Sequence, residues 1–205
     1  MSHKLVIATR NQGKIAEFGR ILDALSDGAI ELVGIDQFPD LVDVEETGTT
    51  FQENALLKAR YAATMTGLPA ISDDSGLCVD ALNGAPGIFS ARWAGIHSND
   101  KANVEKVLDE LNRVPDGKRG AHFICVAALV MPDGREEVTE GVFHGTILHA
   151  AIGNHGFGYD PIFAPLGMSI SSAQMSADEK DAVSHRGKSL RAIAPHVIEM
   201  LGGLG

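Results

Sequence analysis

The sequence predicts an α/β fold built on a mixed β-sheet, and three observations carry that expectation. First, the early chain alternates short apolar runs with segments of helical period, as strand–helix units do. Residues 5–8 (Leu-Val-Ile-Ala) are such a run, and Ile15, Phe18, Ile21, Leu22 and Leu25 then recur at helical spacing. Second, the apolar stretch 123–131 and the alternating stretch 136–148 flank Pro132-Asp133-Gly134, a turn sequence. A hairpin thus joins elements that are otherwise parallel. Third, the chain has 205 residues, 44% of them hydrophobic, with no repeat, low-complexity tract or linker. A single domain spanning residues 1–205 is expected.

Each element has its own signal. The first strand covers residues 5–8, and Thr9-Arg10-Asn11-Gln12-Gly13-Lys14 is the turn into the first helix. A second strand is expected at 30–35. Thr50-Phe51-Gln52-Glu53 fits a capping box, in which Thr50 and Glu53 satisfy each other's free backbone amides. Phe51, Ala55, Ala59 and Ala62 make one apolar face, and Gly67 with Pro69 ends that helix. Ile71-Ser72-Asp73-Asp74-Ser75-Gly76-Leu77 reads as a short buried strand broken by Ser-Gly, which places Asp73 and Asp74 at its exit. Ser98 is the expected cap of a third helix, with Val104, Val107, Leu108 and Leu111 facing inward. Residues 153–158 are a Gly-rich loop, and Ser176-Ala177-Asp178-Glu179 is a second capping box. The last helix carries Leu190, Ile193, Val197 and Leu201, with Pro195 kinking or splitting it.

Composition narrows the function. A net charge of −10 argues against a broad basic surface for nucleic-acid polymers, although a few local cations can still dominate one cleft. Cys78 and Cys125, the only cysteines, lie in apolar stretches and read as reduced core residues. The opening residues do not resemble a signal peptide, and no apolar run approaches the ~20 residues that span a bilayer. A soluble cytoplasmic protein without a membrane partner is expected. None of the eight histidines has metal-ligand spacing and no G-x-S-x-G motif occurs, so zinc hydrolysis and Ser-His-Asp chemistry lose ground.

Six segments supply polar groups for chemistry, and each alone also has a plain structural reading, which for Asp73-Asp74 is a solvated turn. Ligands of open α/β sheets sit off the carboxyl ends of strands, and paired carboxylates there suit Mg²⁺. Residues 9–14 combine a strand-to-helix turn with Asn11 and Lys14, which suits an anion, or they are an ordinary polar turn. Asp43-Val44-Glu45-Glu46 is either a solvated acidic loop or brings Glu46 to a metal beside Asp74. Asn54 and Lys58 share a helix face, where Lys58 either neutralises a phosphate or lies on the surface. Residues 156–163 set aromatics between glycines, which suits stacking on a flat ring or simple loop packing. Lys180, His185 and Arg186 are a solvated basic helix start, or donors that favour a 6-oxo purine over a 6-amino one.

Together these segments resemble the inosine triphosphate pyrophosphatase family, whose members act on non-canonical purine nucleoside triphosphates. The matching segments are ATRNQGKIAEF at 8–18, EETGTTFQENALLKAR at 45–60, ISDDSGLCVDALNGAPGIFSARWAG at 71–95, GFGYDPIF at 156–163 and EKDAVSHRGKSLR at 179–191. The resemblance implies an elongated, two-lobed fold with a long central mixed sheet flanked by helices, and a homodimer. It implies hydrolysis of ITP, dITP and XTP to the monophosphate and pyrophosphate with Mg²⁺. By position, Thr9, Arg10, Asn11, Gln12, Gly13 and Lys14 would hold the triphosphate, and Lys58 and Ser75 would contact phosphate. Glu46 and Asp74 would hold the metal, with Asp74 also the water-activating base. Phe157, Gly158, Tyr159, Asp160, Lys180, His185 and Arg186 would form the base pocket. Asp73 and Asp74, if both extended, point to opposite faces, so only one meets the metal. Two rival readings are a pyrimidine nucleotide pyrophosphatase of the septum-inhibitor type and a nucleotide-binding sensor without catalysis.

Overall fold

Six strands and five α-helices, alternating as far as the fourth strand, make up the computed structural model, which describes residues 3–26, 28–42, 44–96 and 99–202. The order is β1 (His3–Ile7), α1 (Gln12–Ser26), β2 (Ile30–Gly34), α2 (Phe51–Thr66), β3 (Ala70–Val79), α3 (Asp100–Glu110), β4 (Gly120–Val130), β5 (Glu136–Ile147), β6 (Phe163–Pro165), α4 (Ala177–Val183) and α5 (His185–Gly202). The strands run β2-β1-β3-β4-β5-β6 in one sheet. β1 pairs in parallel with β2 and β3, whereas β5 pairs antiparallel with β6, so the sheet is mixed as expected. Among the described residues, no helix is long and apolar enough to cross a membrane. Both cysteines are free thiols, Cys125 buried and Cys78 half-buried.

The chain forms two compact units. The first takes in the described residues within 1–74, 125–141 and 186–205. Its strand residues alternate between two cores, because successive side chains of a strand point to opposite faces. Leu5 and Ile7 of β1 join Ile71, Leu129, Phe18 and Leu22 of α1, and Ile193 and Val197 of α5. Val6 turns the other way, to Ala70, Val126 and Ala128, and to Ala55, Ala59 and Ala62 of α2. Full burial of each larger aliphatic side chain contributes roughly 1.5–3 kcal/mol. The second unit takes in the described residues within 75–124 and 142–185. Leu77, Val79, Val107, Leu111, Phe143 and Ile162 form its core. Phe123 and Phe163 pack there with ring centroids 4.7 Å apart at a tilt of 56°.

The structure departs from the sequence expectations in instructive places. α1 begins inside the expected turn, because Asn11 Oδ1 accepts from Lys14 N at 3.0 Å and caps the helix. At α2, Thr50 accepts from Glu53 N, but Glu53 returns its carboxylate to Thr49, at 2.6 Å from N and 2.9 Å from Oγ1. The reciprocal half of that box is thus shifted by one residue, whereas the Ser176–Glu179 box is complete. β3 is not broken by Ser75-Gly76. It continues for ten residues, because Leu77 and Val79 resume the buried alternation and Ser90 Oγ accepts from Leu77 N at 2.9 Å. Asp73 and Asp74 accordingly lie within a strand and not at its end. Ser98 and Asp43 lie outside the described residues; Asn99 caps α3, its side chain accepting from Ala102 N at 3.1 Å. Pro195 does not split α5, since Leu190, Ile193, Ala194, Val197 and Leu201 are all buried and hold the helix across the missing N–H.

Candidate functional site

Parallel pairing fixes the first group of polar residues. Ala8 N donates to Ile71 O at 2.8 Å, so the turn leaving β1 emerges beside β3. Within that turn Thr9 Oγ1 accepts from Asn11 N at 3.2 Å, and Arg10 is tied by Nη2 to Leu41 O at 2.8 Å. Gln12 and Gly13 occupy the first turn of α1, whose free amides and positive dipole end suit an anion. Lys14 reaches back to β3, with Nζ 3.0 Å from Asp73 Oδ1.

The two aspartates face opposite ways, as extended neighbours must. Asp73 turns toward α1 and α5. Its Oδ2 accepts from Arg186 Nη2 at 3.0 Å and Nε at 3.2 Å, while Arg186 Nη1 donates to Glu17. Arg186, Glu17 and Asp73 are each at most 4% exposed. Burial alone would raise the Asp73 pKa, but Lys14, Arg186 and Lys58 outweigh it and hold the carboxyl well below the usual aspartate range. Burial would likewise weaken the Arg186 guanidinium, but Asp73 and Glu17 raise its pKa further. Cys125 Sγ, 3.6 Å from Asp73 Oδ2, is held as a thiol by burial and by that carboxylate.

Asp74 turns toward α2 and enters a different field. Asn54 Nδ2 donates to its Oδ2 at 3.2 Å, and Lys58 Nζ lies 3.5 Å from its Oδ1. The same ammonium is 2.7 Å from Glu46 Oε1. The structure therefore brings Glu46, Lys58 and Asp74 together. Burial raises the Asp74 pKa and exceeds the opposing pull of Lys58 and Lys14, with Glu46 adding to the rise. Burial opposes the Lys58 charge, yet Asp74, Glu46 and Asp73 raise its pKa overall. Asn54 Oδ1 also accepts from Gly48 N at 2.8 Å, which fixes the loop carrying Glu46 against α2.

The donor set fits a Mg²⁺ ion. Mg²⁺ is commonly held by one or two carboxylates together with substrate phosphates and water, and Glu46 and Asp74 supply two. Among the described residues, no group of three or more His, Cys, Asp or Glu could hold a metal. A cation here would therefore be completed by substrate and solvent.

The remaining predicted residues belong to the second unit. Ser75 opens it, half-buried on β3. Gly158 has φ +61° and donates its N–H to Asp100 Oδ2 at 2.7 Å. Asp160 Oδ2 accepts from Phe157 N at 3.0 Å and from Lys180 Nζ at 2.5 Å. The Lys180 ammonium also lies 5.0 Å from the centroid of the Phe157 ring. Tyr159 is buried and donates its hydroxyl to Ser90 O at 2.8 Å, so it packs the loop while Phe157 remains the partly exposed ring. His185 stacks on Phe123, with centroids 4.8 Å apart and planes 11° from parallel. Lys180 and His185 belong to this unit and Arg186 to the first, so the run of basic residues is divided between them.

Two residues escaped the sequence reading. Glu17 stands on the buried stripe of α1 beside Phe18, three residues after Lys14. A carboxylate in an apolar stripe demands a buried cation, and that was the available signal. Asp100, at the start of α3, gave none, because its partner Gly158 is distant in sequence.

Comparison with known proteins places the chain in a family. Residues 5–196 match the Ham1 family. A dITP/XTP pyrophosphatase of Streptomyces coelicolor is 56% identical over 201 residues, covering 97% of this chain and 99% of that one. A dITP/XTP pyrophosphatase of Corynebacterium efficiens is 50% identical over 205 residues, covering 97% and 99%. The crystal structure of a nucleoside-triphosphatase / dITP/XTP pyrophosphatase from Mycobacterium abscessus superposes with a TM-score of 0.75 at 47% identity, covering 94% of this chain and 99% of its own. A HAM1 protein from Coxiella burnetii superposes with a TM-score of 0.85 at 41% identity, covering 96% and 99%.

Proposed function

The chain belongs to the Ham1 family, and on that premise we propose that it is a pyrophosphatase of non-canonical purine nucleotides. It hydrolyses ITP, dITP and XTP to the nucleoside monophosphate and pyrophosphate and so cleanses the nucleotide pool. Its working form is a homodimer in the cytoplasm, with no nucleic-acid polymer or membrane as partner. The observation that carries this reading is the trio of Glu46, Lys58 and Asp74, in a chain whose relatives are dITP/XTP pyrophosphatases.

The chemistry follows from the side chains. Water attacks the α-phosphorus, forming a P–O bond, while the bridge to the β-phosphate breaks and pyrophosphate leaves in line. Asp74 takes the proton of the attacking water, a task suited to a carboxylate whose pKa burial has raised. Lys14 and Lys58 offset charge on the departing pyrophosphate, and the amides at the start of α1 hold its oxygens, aided by Thr9, Arg10, Asn11, Gln12 and Gly13. Ser75 adds a hydroxyl donor to phosphate. Glu46 and Asp74 would hold Mg²⁺, which when bound polarises phosphate oxygens. Lys180 and Arg186 carry donors only, which suit a 6-oxo group and mispair with a 6-amino group; in this structure those donors serve Asp160, Asp73 and Glu17, so they must turn from these carboxylates to meet a base. Phe157 gives the purine a face to stack on, and Gly158, Tyr159, Asp160 and His185 shape that pocket.

Pyrophosphate release with Mg²⁺, measured in parallel from ITP, XTP, ATP, GTP, UTP and dTTP, tests the proposal. Release from ITP and XTP far above the others is the expected result. Release from UTP and dTTP would point to the pyrimidine enzymes of the septum-inhibitor type. Binding of ITP without release would make the protein a sensor.

A further inference from the structure

Lys58 holds both carboxylates assigned to the metal. Its Nζ is 2.7 Å from Glu46 Oε1 and 3.5 Å from Asp74 Oδ1, and the three side chains are 15%, 23% and 7% exposed. Nothing about this contact is loose. Asn54, one helical turn earlier on α2, binds Asp74 on one side and the Gly48 amide on the other. A Cβ at Gly48 would lie 2.6 Å from Asn54 Oδ1 and 2.7 Å from Glu53 Cβ, so the loop that delivers Glu46 is pressed against the helix. One monovalent cation thus sits between two anions at a place built for it.

We infer that Lys58 is a built-in competitor of the divalent cation, so that the metal is taken up together with the nucleotide and not by the protein beforehand. This rests on the reading that Glu46 and Asp74 are the metal's protein ligands. A divalent cation entering between them while Lys58 stays would bring like charges within a few ångströms, where repulsion in a partly buried setting is strong. The ammonium must leave first, and its long, flexible stem allows that. A triphosphate provides both halves of the exchange. Its oxygens accept the hydrogen bonds that Lys58 gives up, and they complete a coordination shell that two carboxylates cannot fill. Lys58 would then stand on phosphate, and Glu46 and Asp74 would be left to hold the cation. The exchange keeps the carboxylates neutralised at every stage and denies them to stray metal.

The test is binding of Mn²⁺ to the nucleotide-free protein, followed by the electron paramagnetic resonance of free Mn²⁺. Lys58→Met and Lys58→Gln remove the charge by two routes, so that one misfolded variant does not end the experiment. Lys58→Arg keeps the charge. Both neutral variants should bind Mn²⁺ roughly tenfold or more tightly than the wild type. Lys58→Arg should stay as weak as the wild type, and adding Glu46→Gln to Lys58→Met should erase the gain. Neutral variants that bind no more tightly than the wild type would overturn the inference, as would a gain that survives Glu46→Gln. Pyrophosphate release by the wild type is measured separately, so a failure here is distinct from a failure of the enzymatic assignment.

Discussion

Asp73 meets Lys14 and Arg186, and Asp74 beside it meets Lys58 and Asn54. Period two along an extended chain was enough to read from the sequence that the pair must part. The direction of each pKa was not legible, because it depends on cations brought from α1, α2 and α5. The two asparagine variants should therefore differ in kind. Asp74→Asn should lower kcat about 10²–10⁴-fold, the range of a lost general base, while circular dichroism and the melting temperature stay near those of the wild type. Near-normal turnover would remove Asp74 from the mechanism. In the protein free of metal and nucleotide, the Asp74 carboxyl should titrate above the ordinary 3.8, because burial outweighs the ammonium groups of Lys58 and Lys14. A carboxyl signal of Asp74, followed by NMR, that titrates at or below that value would contradict this environment. Asp73→Asn instead leaves Arg186 and Lys14 short of a buried counter-charge, which costs about 3–5 kcal/mol of stability. Because folding depresses the Asp73 pKa, this stabilisation is complete above the unfolded value of 3.8 and fades as pH falls toward the depressed one. Urea unfolding should show the full gap between variant and wild type at pH 7 and a narrowing gap below about pH 4. A gap that stays constant down to pH 3 would mean that some other loss explains the variant.

Helices were more legible than strands, for a physical reason. A cap joins residues three apart, so Thr50, Ser176 and the glycine stop at Gly67 (φ +67°) are visible in a short window. The continuation of β3 past Ser75-Gly76 depends on burial of Leu77 and Val79 and on Ser90, thirteen residues on, which no local pattern shows. The loop at 153–158 lies between these cases. Its glycines announce an irregular backbone, but not that Asp160 folds back beneath it. At Gly156, φ is +71° and a Cβ would fall 2.1 Å from Asp160 Oδ2. Gly156→Ala must therefore displace the carboxylate that holds both the Phe157 amide and Lys180. The expected result is a several-fold rise in KM for ITP, with a much smaller change in kcat, since the proton-transfer and phosphate residues lie elsewhere in the chain. An unchanged KM would separate this loop from base recognition.

For the molecule as a whole, the order of five weak segments carried more than any one of them. Residues 8–191 span the resemblance and residues 5–196 match the family, so the identity of the chain was legible and two lobes were expected from the resemblance, but the positions at which the chain passes from one unit to the other were not. That division depends on which parts of β3, β4 and β5 pack with which helices, and no stretch of sequence records it. Assembly is the property of the whole chain that its charge and surface bear on most directly. A net charge of −10 disfavours close approach of two copies unless apolar contact offsets it. The second unit exposes large apolar side chains close together in the chain: Leu166 is 75% exposed, Met168 42% and Ile170 39%. Ser171 Oγ donates to Ile152 O at 2.5 Å, which brings Ile152, 47% exposed, to the same region. Covering what these side chains still expose, on both copies, contributes a fraction of the roughly 1.5–3 kcal/mol that complete burial of each is worth, and this is the contribution that opposes the charge. Light scattering behind a sizing column should therefore give about twice the 21.7 kDa of one chain. Because apolar contact resists screening while repulsion between the copies does not, the dimer should tighten as salt is raised. A mass of one chain at all salt concentrations would rule out the homodimer, and dissociation on adding salt would mean that ion pairs, not these side chains, join the copies.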